Sequence, residues 1–363
     1  MKLTAQIKLL PTPSQAAALL STLETANSAC EFISQRAWNT GVFRQFDLHY
    51  LCYQEVRDQF GLSAQVAVRA IAKVAHAYKV DRKQKRTFRK HGSIAYDDRV
   101  LSWRMRDSTV SIWTVSGRLR IPFKCGELQR ALLDTRMGET DLVLFRNKFF
   151  LSAVCEVEEP TQRETDGVLG VDLGITNIAV DSDGEIHSAT HINNIRYRHR
   201  RLRTKLQSKG TRAAKRTLRR LSGKEQRFAK DTNHRISKQI VAKAKDTKRA
   251  IALEDLKGIR TRVTVRRRQS VILHSWAFFQ LRSFIEYKAR REGIPVFLVD
   301  PRNTSRTCPR CGCVEKANRP SQSVFSCVVC GFSGFADHIA AVNISRRADV
   351  NQPNVARHEA KAV

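Results

Sequence analysis

Apolar and polar residues alternate over residues 2–9, where the apolar side chains fall at the odd positions. This period of two predicts a β-strand with one buried face. Pro11 and Pro13 end the alternation, and Ser14 is the predicted N-cap of the helix that follows. Further helical segments are predicted from there to about residue 90.

Short β-rich segments dominate from about residue 94 to residue 157, with predicted turns at Gly117 and at residues 146–148. A first strand that is separated from its sheet by a helical insertion fits this order. The predicted strands are residues 110–115, 119–122, 142–145 and 149–157.

The second half follows a polar stretch, residues 158–166, which is the predicted linker. Residues 167–187 predict a strand, a tight turn, a second strand and an S-D-G turn. Residues 196–249 predict a pair of helices, because apolar residues recur there at helical spacing. This apolar stripe consists of Leu202, Leu206, Leu218, Leu221, Ile236, Ile240 and Val241.

Two short buried strands are predicted at residues 250–256 and 295–299, with a helix at residues 276–291 between them. Strands that alternate with helices indicate an α/β core. Together with the β-rich first half, this pattern predicts an α+β protein of several domains.

The net charge of the chain indicates what kind of partner it binds. The chain has 363 residues, and its 65 Lys and Arg outnumber its 34 Asp and Glu, for a formal net charge of +31. Such an excess repels itself unless a polyanion neutralises it, so nucleic acid is the leading partner. A basic, ribosome-like structural protein is the alternative, and it too would bind nucleic acid. No apolar run approaches 18 residues and no signal-peptide pattern opens the chain, which disfavours a membrane.

Four cysteines form a C-x2-C…C-x2-C set, and this spacing predicts a four-thiolate structural zinc site. They are Cys308, Cys311, Cys327 and Cys330. A redox pair would not need two such knuckles. Cys313 is a fifth thiol that could exchange with Cys311. The remaining cysteines are scattered singly, which favours a reducing cytosol over a disulfide framework.

Three acids stand in apolar surroundings. Asp172 interrupts the strand pattern V-L-G-V-D, Glu254 closes the run A-I-A-L-E, and Asp337 lies at the predicted start of an apolar helix. A buried acid needs a compensating partner, and three carboxylates suit two Mg²⁺ ions that cleave a phosphodiester. In the alternative reading, Asp337 only caps its helix and Glu254 pairs with a lysine.

These segments carry a resemblance. G-V-D-L-G, A-L-E-D-L and A-D-H-I-A-A-V-N-I resemble the three motifs of a RuvC-type, RNase H-like domain, and residues 273–312 resemble the TnpB family of transposon-associated proteins, which are related to type V CRISPR effectors. The resemblance is dense from Gly167 to about Ala348. It implies a split β-barrel in residues 1–10 and 92–165, a helical recognition insert in 11–91, a RuvC-like domain in 166–301 and 331–350, a zinc ribbon in 302–330 and a disordered tail in 351–363.

The resemblance also implies a function. A guide RNA from the transposon end would pair with double-stranded target DNA, one chain would bind each RNA, and a single Mg²⁺-dependent RuvC-like site would cut the DNA beside a short flanking motif. Asp172, Glu254 and Asp337 would hold the Mg²⁺. The basic tracts 79–90 and 196–249 would bind phosphates. The alternative, a solvated helix face, is disfavoured for the longer tract, because its 21 Lys and Arg against three acids exceed what solubility requires. Candidate nucleic-acid contacts are Lys83, Lys85, Arg86, Arg200, Arg203, Arg219, Arg220, Arg302 and Arg306.

One position departs from the family pattern. Family members commonly have Asn two residues after the third acid, where this chain has Ile339. Its loss is expected to alter helix-cap geometry or substrate contacts and to weaken activity. Two other functions stay open: an RNA-guided DNA-binding repressor that does not cut, and a DNA strand-transfer transposase. No helix-turn-helix or Tyr nucleophile motif supports the transposase.

Overall fold

The computed structural model describes residues 1–174, 176–255 and 278–350. The chain divides into two compact units after Glu158, at the start of the predicted linker. The predicted disordered tail, residues 351–363, lies outside the described residues. The last residue of the predicted strand 250–256 and the first two residues of the predicted helix 276–291 also lie outside them. None of the described helices has the length and apolar character of a membrane-spanning segment.

The first unit contains a seven-stranded sheet that is nearly closed into a barrel, in the order β2-β6-β7-β1-β5-β4-β3. The two ends of the sheet approach one another, since the Tyr96 hydroxyl of the end strand β2 donates at 3.2 Å to the Trp113 carbonyl of β4, the neighbour of the other end strand, β3. The strands are β1 (Lys2–Leu9), β2 (Ile94–Tyr96), β3 (Leu101–Arg104), β4 (Thr109–Thr114), β5 (Gly117–Lys124), β6 (Arg136–Phe145) and β7 (Lys148–Glu156).

Strand β1 confirms the alternation that predicted it. Ala5, Ile7 and Leu9 are buried, and β1 pairs antiparallel with both β7 and β5 in the middle of the sheet. A strand from the start of the chain therefore completes a sheet whose other strands begin after residue 93.

Three helices lie between β1 and β2: α1 (Pro13–Thr40), α2 (Gln45–Phe60) and α3 (Ala64–Val80). The predicted N-cap at Ser14 is wrong. Thr12 caps α1 through a reciprocal capping box with Gln15, since Pro13 has a fixed φ that suits the first helical position. A further helix, α4 (Glu127–Leu133), was not predicted, because seven residues are too few to show a helical period.

Helices and sheet of the first unit share one apolar core. Leu19 and Ile33 of α1 and Ile71 of α3 belong to the same buried cluster as Ile112 and Leu151 of the sheet. The finer predicted boundary, a helical insert at residues 11–91, stays a prediction.

The second unit contains a five-stranded sheet in the order β10-β9-β8-β11-β12. Strands β8, β11 and β12 run parallel, whereas β9 and β10 run antiparallel to their neighbours. The elements are β8 (Val168–Asp172), β9 (Asn177–Asp181), β10 (Ile186–Ser188), α5 (Thr190–Lys209), α6 (Arg212–Asp246), β11 (Ala250–Glu254), α7 (Phe278–Arg291), β12 (Val296–Val299), β13 (Val324–Ser326), β14 (Ser333–Phe335) and α8 (Ala336–Val350).

The predicted helical pair is present as α5 and α6, but one residue of its apolar stripe was assigned wrongly. Leu202 is 42% exposed, whereas Ile192 is the buried residue of α5. Ten residues along a helix correspond to a rotation of about 280°, so Leu202 lies on a different side from Ile192.

Both faces of this sheet are covered. Odd-numbered residues of β8 and β11 pack with side chains of α6 and α7. On the other face, Val168, Ala250 and Ala252 pack with Ile344 and Ala348 of α8. The alternation along a strand therefore directs Asp172 and Glu254 toward the α8 face.

Gly170 allows α8 to lie directly on β8. A Cβ atom at Gly170 would stand 2.1 Å from the Ala341 carbonyl oxygen and 2.6 Å from the Ser345 nitrogen, both backbone atoms of α8. Only a residue without a side chain permits this approach, which brings the N-terminal turn of α8 to the end of β8.

Replacing Gly170 by Ala should lower the free energy of unfolding by about 3 kcal/mol, because backbone atoms have to move apart. Gly126→Ala is the matched control, since its new methyl group would meet only the flexible Gln129 side chain at 3.6 Å. Thermal and denaturant unfolding of both variants measures the difference. Equal stability of the two would mean that the close packing of α8 on β8 is incorrect.

Candidate carboxylate and cysteine sites

Asp172 and Glu254 lie side by side at the carboxyl ends of two neighbouring strands. In the parallel pairing of β8 with β11, Val171 faces Leu253, so the next residues, Asp172 and Glu254, are level. Neighbouring strands are about 4.8 Å apart. The two carboxyl groups thus occupy one edge and one face of the sheet.

Asp337 reaches this edge from the first turn of α8. It is 7% exposed. One carboxylate oxygen accepts a hydrogen bond from Asn177 Nδ2 at 3.0 Å, and the other accepts one from Arg319 at 3.2 Å. The structure therefore gives Asp337 two side-chain partners at the sheet edge.

Burial and mutual repulsion raise the affinity of these carboxyl groups for protons. The pKa of Asp172 lies well above its usual value, first because the group is buried and then because Glu254 and Asp337 are close. The pKa of Glu254 is also raised, mainly by burial. Arg319 acts in the opposite direction on both. Such a cluster favours a bound cation.

Thr304 and Asn343 support Glu254. The Thr304 hydroxyl donates to the Glu254 carboxylate. The buried Asn343 side chain donates to the carbonyl oxygens of Thr304 and Thr307, each at 2.8 Å. An amide inside the apolar helix A-A-V-N-I was the available sequence signal for Asn343.

The four predicted cysteines come together in residues 307–335, which we call the cysteine module. Cys308 Sγ lies 3.6 Å from Cys330 Sγ, and Cys311 Sγ lies 3.5 Å from Cys327 Sγ. Thiolates at about 2.3 Å from a tetrahedral zinc ion are roughly 3.8 Å apart. The set therefore fits zinc, and Cys313 lies outside it.

The carboxylates are spaced more widely than the thiols. Within the described residues, these four cysteines are the one group of three or more Cys, His, Asp or Glu whose ligand atoms all lie within 4.8 Å of one another.

Ile339 packs against the cysteine module. It is 3% exposed and belongs to an apolar cluster with Cys308, Phe325 and Cys327. Two residues along a helix correspond to a rotation of about 200°, so Ile339 and Asp337 point in opposite directions. The expectation that this position alters substrate contacts or activity remains untested, and the structure gives Ile339 a packing role.

The predicted nucleic-acid contacts differ in their surroundings. Lys85 pairs with Glu31, Arg86 with Asp81, and Arg203 with Glu225. Arg302 is exposed and 3.9 Å from Asp300. The remaining members of the set are exposed: Lys83, Arg200, Arg219, Arg220 and Arg306. Their role stays a prediction.

Two segments of the chain match models of known protein families. Residues 152–258 match a family model described as "Probable transposase", and residues 278–344 match the "Cas12f1-like, TNB domain" model. Over 103 residues the chain is 37% identical to the TnpB-like protein MJ0751 of Methanocaldococcus jannaschii. The resemblance to the TnpB family is confirmed. Over 95 residues the chain is also 39% identical to the CRISPR-associated endodeoxyribonuclease Cas12f1 of Sulfoacidibacillus thermotolerans.

These matches are partial. The alignment with the TnpB-like protein covers 27% of this chain and 35% of that protein, and the alignment with Cas12f1 covers 26% and 21%. The chain thus spans less than two thirds of the length of the curated relatives that it matches.

A solved structure extends the similarity of fold beyond the TnpB-like segments. The structure of the mini-RNA-guided endonuclease CRISPR-Cas_phi3 aligns with a TM-score of 0.57 at 11% sequence identity. The alignment covers 97% of this chain and 93% of that one. At this identity the likeness shows the fold alone, and that fold is the α+β architecture predicted from the sequence.

Sequence reasoning also missed Asn177 and Arg319, the two side-chain partners of Asp337. Asn177 is the first residue of β9, and Arg319 lies in a polar part of the cysteine module. Neither has a sequence signal, because each becomes relevant only through its contact with Asp337.

Proposed function

We propose that this protein is an RNA-guided, Mg²⁺-dependent DNA endonuclease associated with a transposon, which cuts beside a short flanking motif at a single RuvC-like site. The observation that carries the proposal is the meeting of Asp172, Glu254 and Asp337 at one edge of a sheet. The names of the relatives, a TnpB-like protein and an endodeoxyribonuclease, support it.

The carboxylates fit divalent cations. Asp172 and Glu254 are buried acids with raised pKa values, which a cation would compensate, and hard oxygen ligands suit Mg²⁺. When bound, Mg²⁺ activates the attacking water and stabilises the leaving oxygen of a phosphodiester. Asp172, Glu254 and Asp337 are the proposed ligands.

Neighbouring residues fix the carboxylates in place. Asn177 and Arg319 hold the two oxygens of Asp337, and Thr304 holds one oxygen of Glu254. Arg319 also brings a positive charge beside the acids. A guanidinium at this place can contact a phosphate oxygen as negative charge develops on it.

The chain's charge of +31 supports guide RNA and double-stranded DNA as partners, and the exposed arginines of α5 and α6 are the proposed phosphate contacts. We place the protein in the prokaryotic cytoplasm, at the nucleoid when it is bound to DNA. One chain per guide RNA is the proposed stoichiometry.

The test is to express the protein with its native flanking DNA and to sequence the RNA that co-purifies. A discrete RNA from the 3′ end of the gene, followed by cleavage of a matching plasmid only with Mg²⁺, is the expected result. Heterogeneous RNA together with an uncut plasmid library would overturn the proposal. Joined DNA products would instead favour the strand-transfer transposase.

Cutting should decline in acid. Because their pKa values are raised, Asp172 and Glu254 take up protons at a higher pH than ordinary carboxyl groups do. Protonated carboxyl groups bind Mg²⁺ poorly. Since Arg319 lowers both pKa values, Arg319→Gln should move the acid limb of the pH–rate profile to higher pH. Lys316→Gln is the matched control, because Lys316 is an exposed cation of the same cysteine module and is not one of the candidate nucleic-acid contacts. Superimposable profiles for both variants would show that Arg319 does not act on the acids.

A further inference from the structure

The segment from Asp81 to Ser93, here called the basic strap, joins α3 to β2. It has neither helix nor strand. It nevertheless lies along one face of α1, opposite a row of polar residues at positions 24, 27, 31 and 34. Steps of three and four residues place these side chains on one side of a helix.

The centre of the strap is held by two fully buried hydroxyl groups. Ser34 Oγ donates to the Arg86 carbonyl at 2.5 Å, and the Arg86 N–H donates to the Tyr78 hydroxyl at 3.2 Å. Ser34 and Tyr78 are both 0% exposed. Both backbone polar groups of Arg86 are therefore fixed from beneath.

Further bonds fix the rest of the strap. The Phe88 N–H donates to Glu31 Oε2 at 2.9 Å. Asn27, which is 1% exposed, donates to the Gly92 carbonyl at 2.8 Å. Lys73 Nζ donates to the Ser93 carbonyl and to Asn27 Oδ1, each at 2.7 Å.

At Gly92 the strap packs closely against the Asn27 side chain of α1. A Cβ atom at this residue would lie 2.9 Å from Asn27 Oδ1 and 3.2 Å from the Arg89 carbonyl. A larger residue at this position would have to displace the Asn27 side chain.

The outer side of the strap is basic. Residues 81–93 contain six Lys and Arg against one acid. Three acids lie beneath or within the strap and pair with some of these groups: Asp81 with Arg86, Glu31 with Lys85, and Glu24 with Lys90 and His91. The side chains of Arg82, Lys83 and Arg89 are exposed.

Buried polar groups cost free energy unless they are hydrogen-bonded, and here three of them, Asn27, Ser34 and Tyr78, are committed to one loop. A solvated basic loop would need none of these anchors. We propose that the basic strap is a preordered binding surface for the phosphodiester backbone of nucleic acid, an inference that rests on the proposed function. Ordering the loop before binding lowers the entropy lost when the complex forms.

The test separates order from charge. Glu31→Ala removes an anchor of the strap and raises the net charge by one. Glu55→Ala raises the charge equally on α2, where Glu55 pairs with Arg36 and not with the strap. Ala is a good helix former, so both helices persist. Affinity is measured by fluorescence anisotropy with a 30-nucleotide single-stranded RNA and a 30-base-pair DNA duplex as probes.

The Glu31→Ala variant should bind one or both probes roughly three- to tenfold more weakly than the Glu55→Ala variant does. This loss corresponds to the conformational entropy of about one residue that becomes ordered only on binding. Its salt dependence should stay unchanged. The double variant Arg82→Ala, Arg89→Ala loses two phosphate contacts, so its slope of log affinity against log salt should fall by about 1.4 with the RNA and about 1.8 with the duplex. Circular dichroism confirms folding, and Glu24→Ala provides a second anchor variant.

The experiment distinguishes failure of the proposed function from failure of the role proposed for the basic strap. Wild-type protein that binds neither probe overturns the proposed function itself. Wild-type protein that binds, together with anchor variants that bind as tightly as Glu55→Ala or more tightly, overturns only the role of the strap. The probe that loses affinity shows whether the phosphates belong to RNA or to duplex DNA.

Discussion

Asp172→Asn is expected to slow DNA cutting by about a thousandfold or more while RNA binding stays at the wild-type level. The substitution keeps the shape of the side chain and removes one ligand charge from the proposed Mg²⁺ site. A loss of about 4 kcal/mol in transition-state stabilisation corresponds to this factor. Single-turnover cleavage of a guide-matched plasmid and a filter-binding assay with the guide RNA measure the two effects.

Stability provides an independent readout for the same variant. Because burial and the neighbouring acids raise the pKa of Asp172, its ionised form destabilises the metal-free fold at neutral pH. Removing that charge should leave the melting temperature of metal-free protein unchanged or higher. Asp231→Asn, at an exposed acid paired with Arg235, is the control and should cut normally. Wild-type cutting by Asp172→Asn would refute the assigned site.

Cys308→Ser is expected to abolish zinc binding, unfold the cysteine module and lower cutting at least tenfold, although every carboxylate remains in place. A structural zinc ion contributes roughly 10 kcal/mol or more to folding so short a segment. The module carries Arg319, and its apolar cluster holds Ile339 of α8. Its loss should therefore release Asp337.

Cys313→Ser is the matched control, because Cys313 lies outside the four-thiol set. Metal content by mass spectrometry, limited proteolysis and plasmid cleavage separate the outcomes. Full zinc content in Cys308→Ser would contradict the ligand assignment. Loss of zinc with normal cutting would show that the module does not position the carboxylates.

Sequence periodicity predicted the elements that carry the site. An acid at the end of an apolar run indicates the end of a buried strand, and this located Asp172 on β8 and Glu254 on β11. Paired C-x2-C knuckles predicted the thiol cluster, because the ligands of each knuckle are close in sequence. Single positions were less predictable. Thr12 replaced Ser14 as the cap of α1, and Leu202 is exposed.

The sequence by itself determined which residues are candidates for the chemistry and on which kind of element each lies, since these follow from local spacing. Tertiary structure alone decided what surrounds them: Asn177 and Asp337 are 160 residues apart in the chain, and Gly170 matters only because α8 lies on it. The same holds for the basic strap, whose charges are evident in the sequence but whose anchors on α1 and α3 are not. Contacts between distant segments depend on how whole elements pack, and no local period encodes that packing.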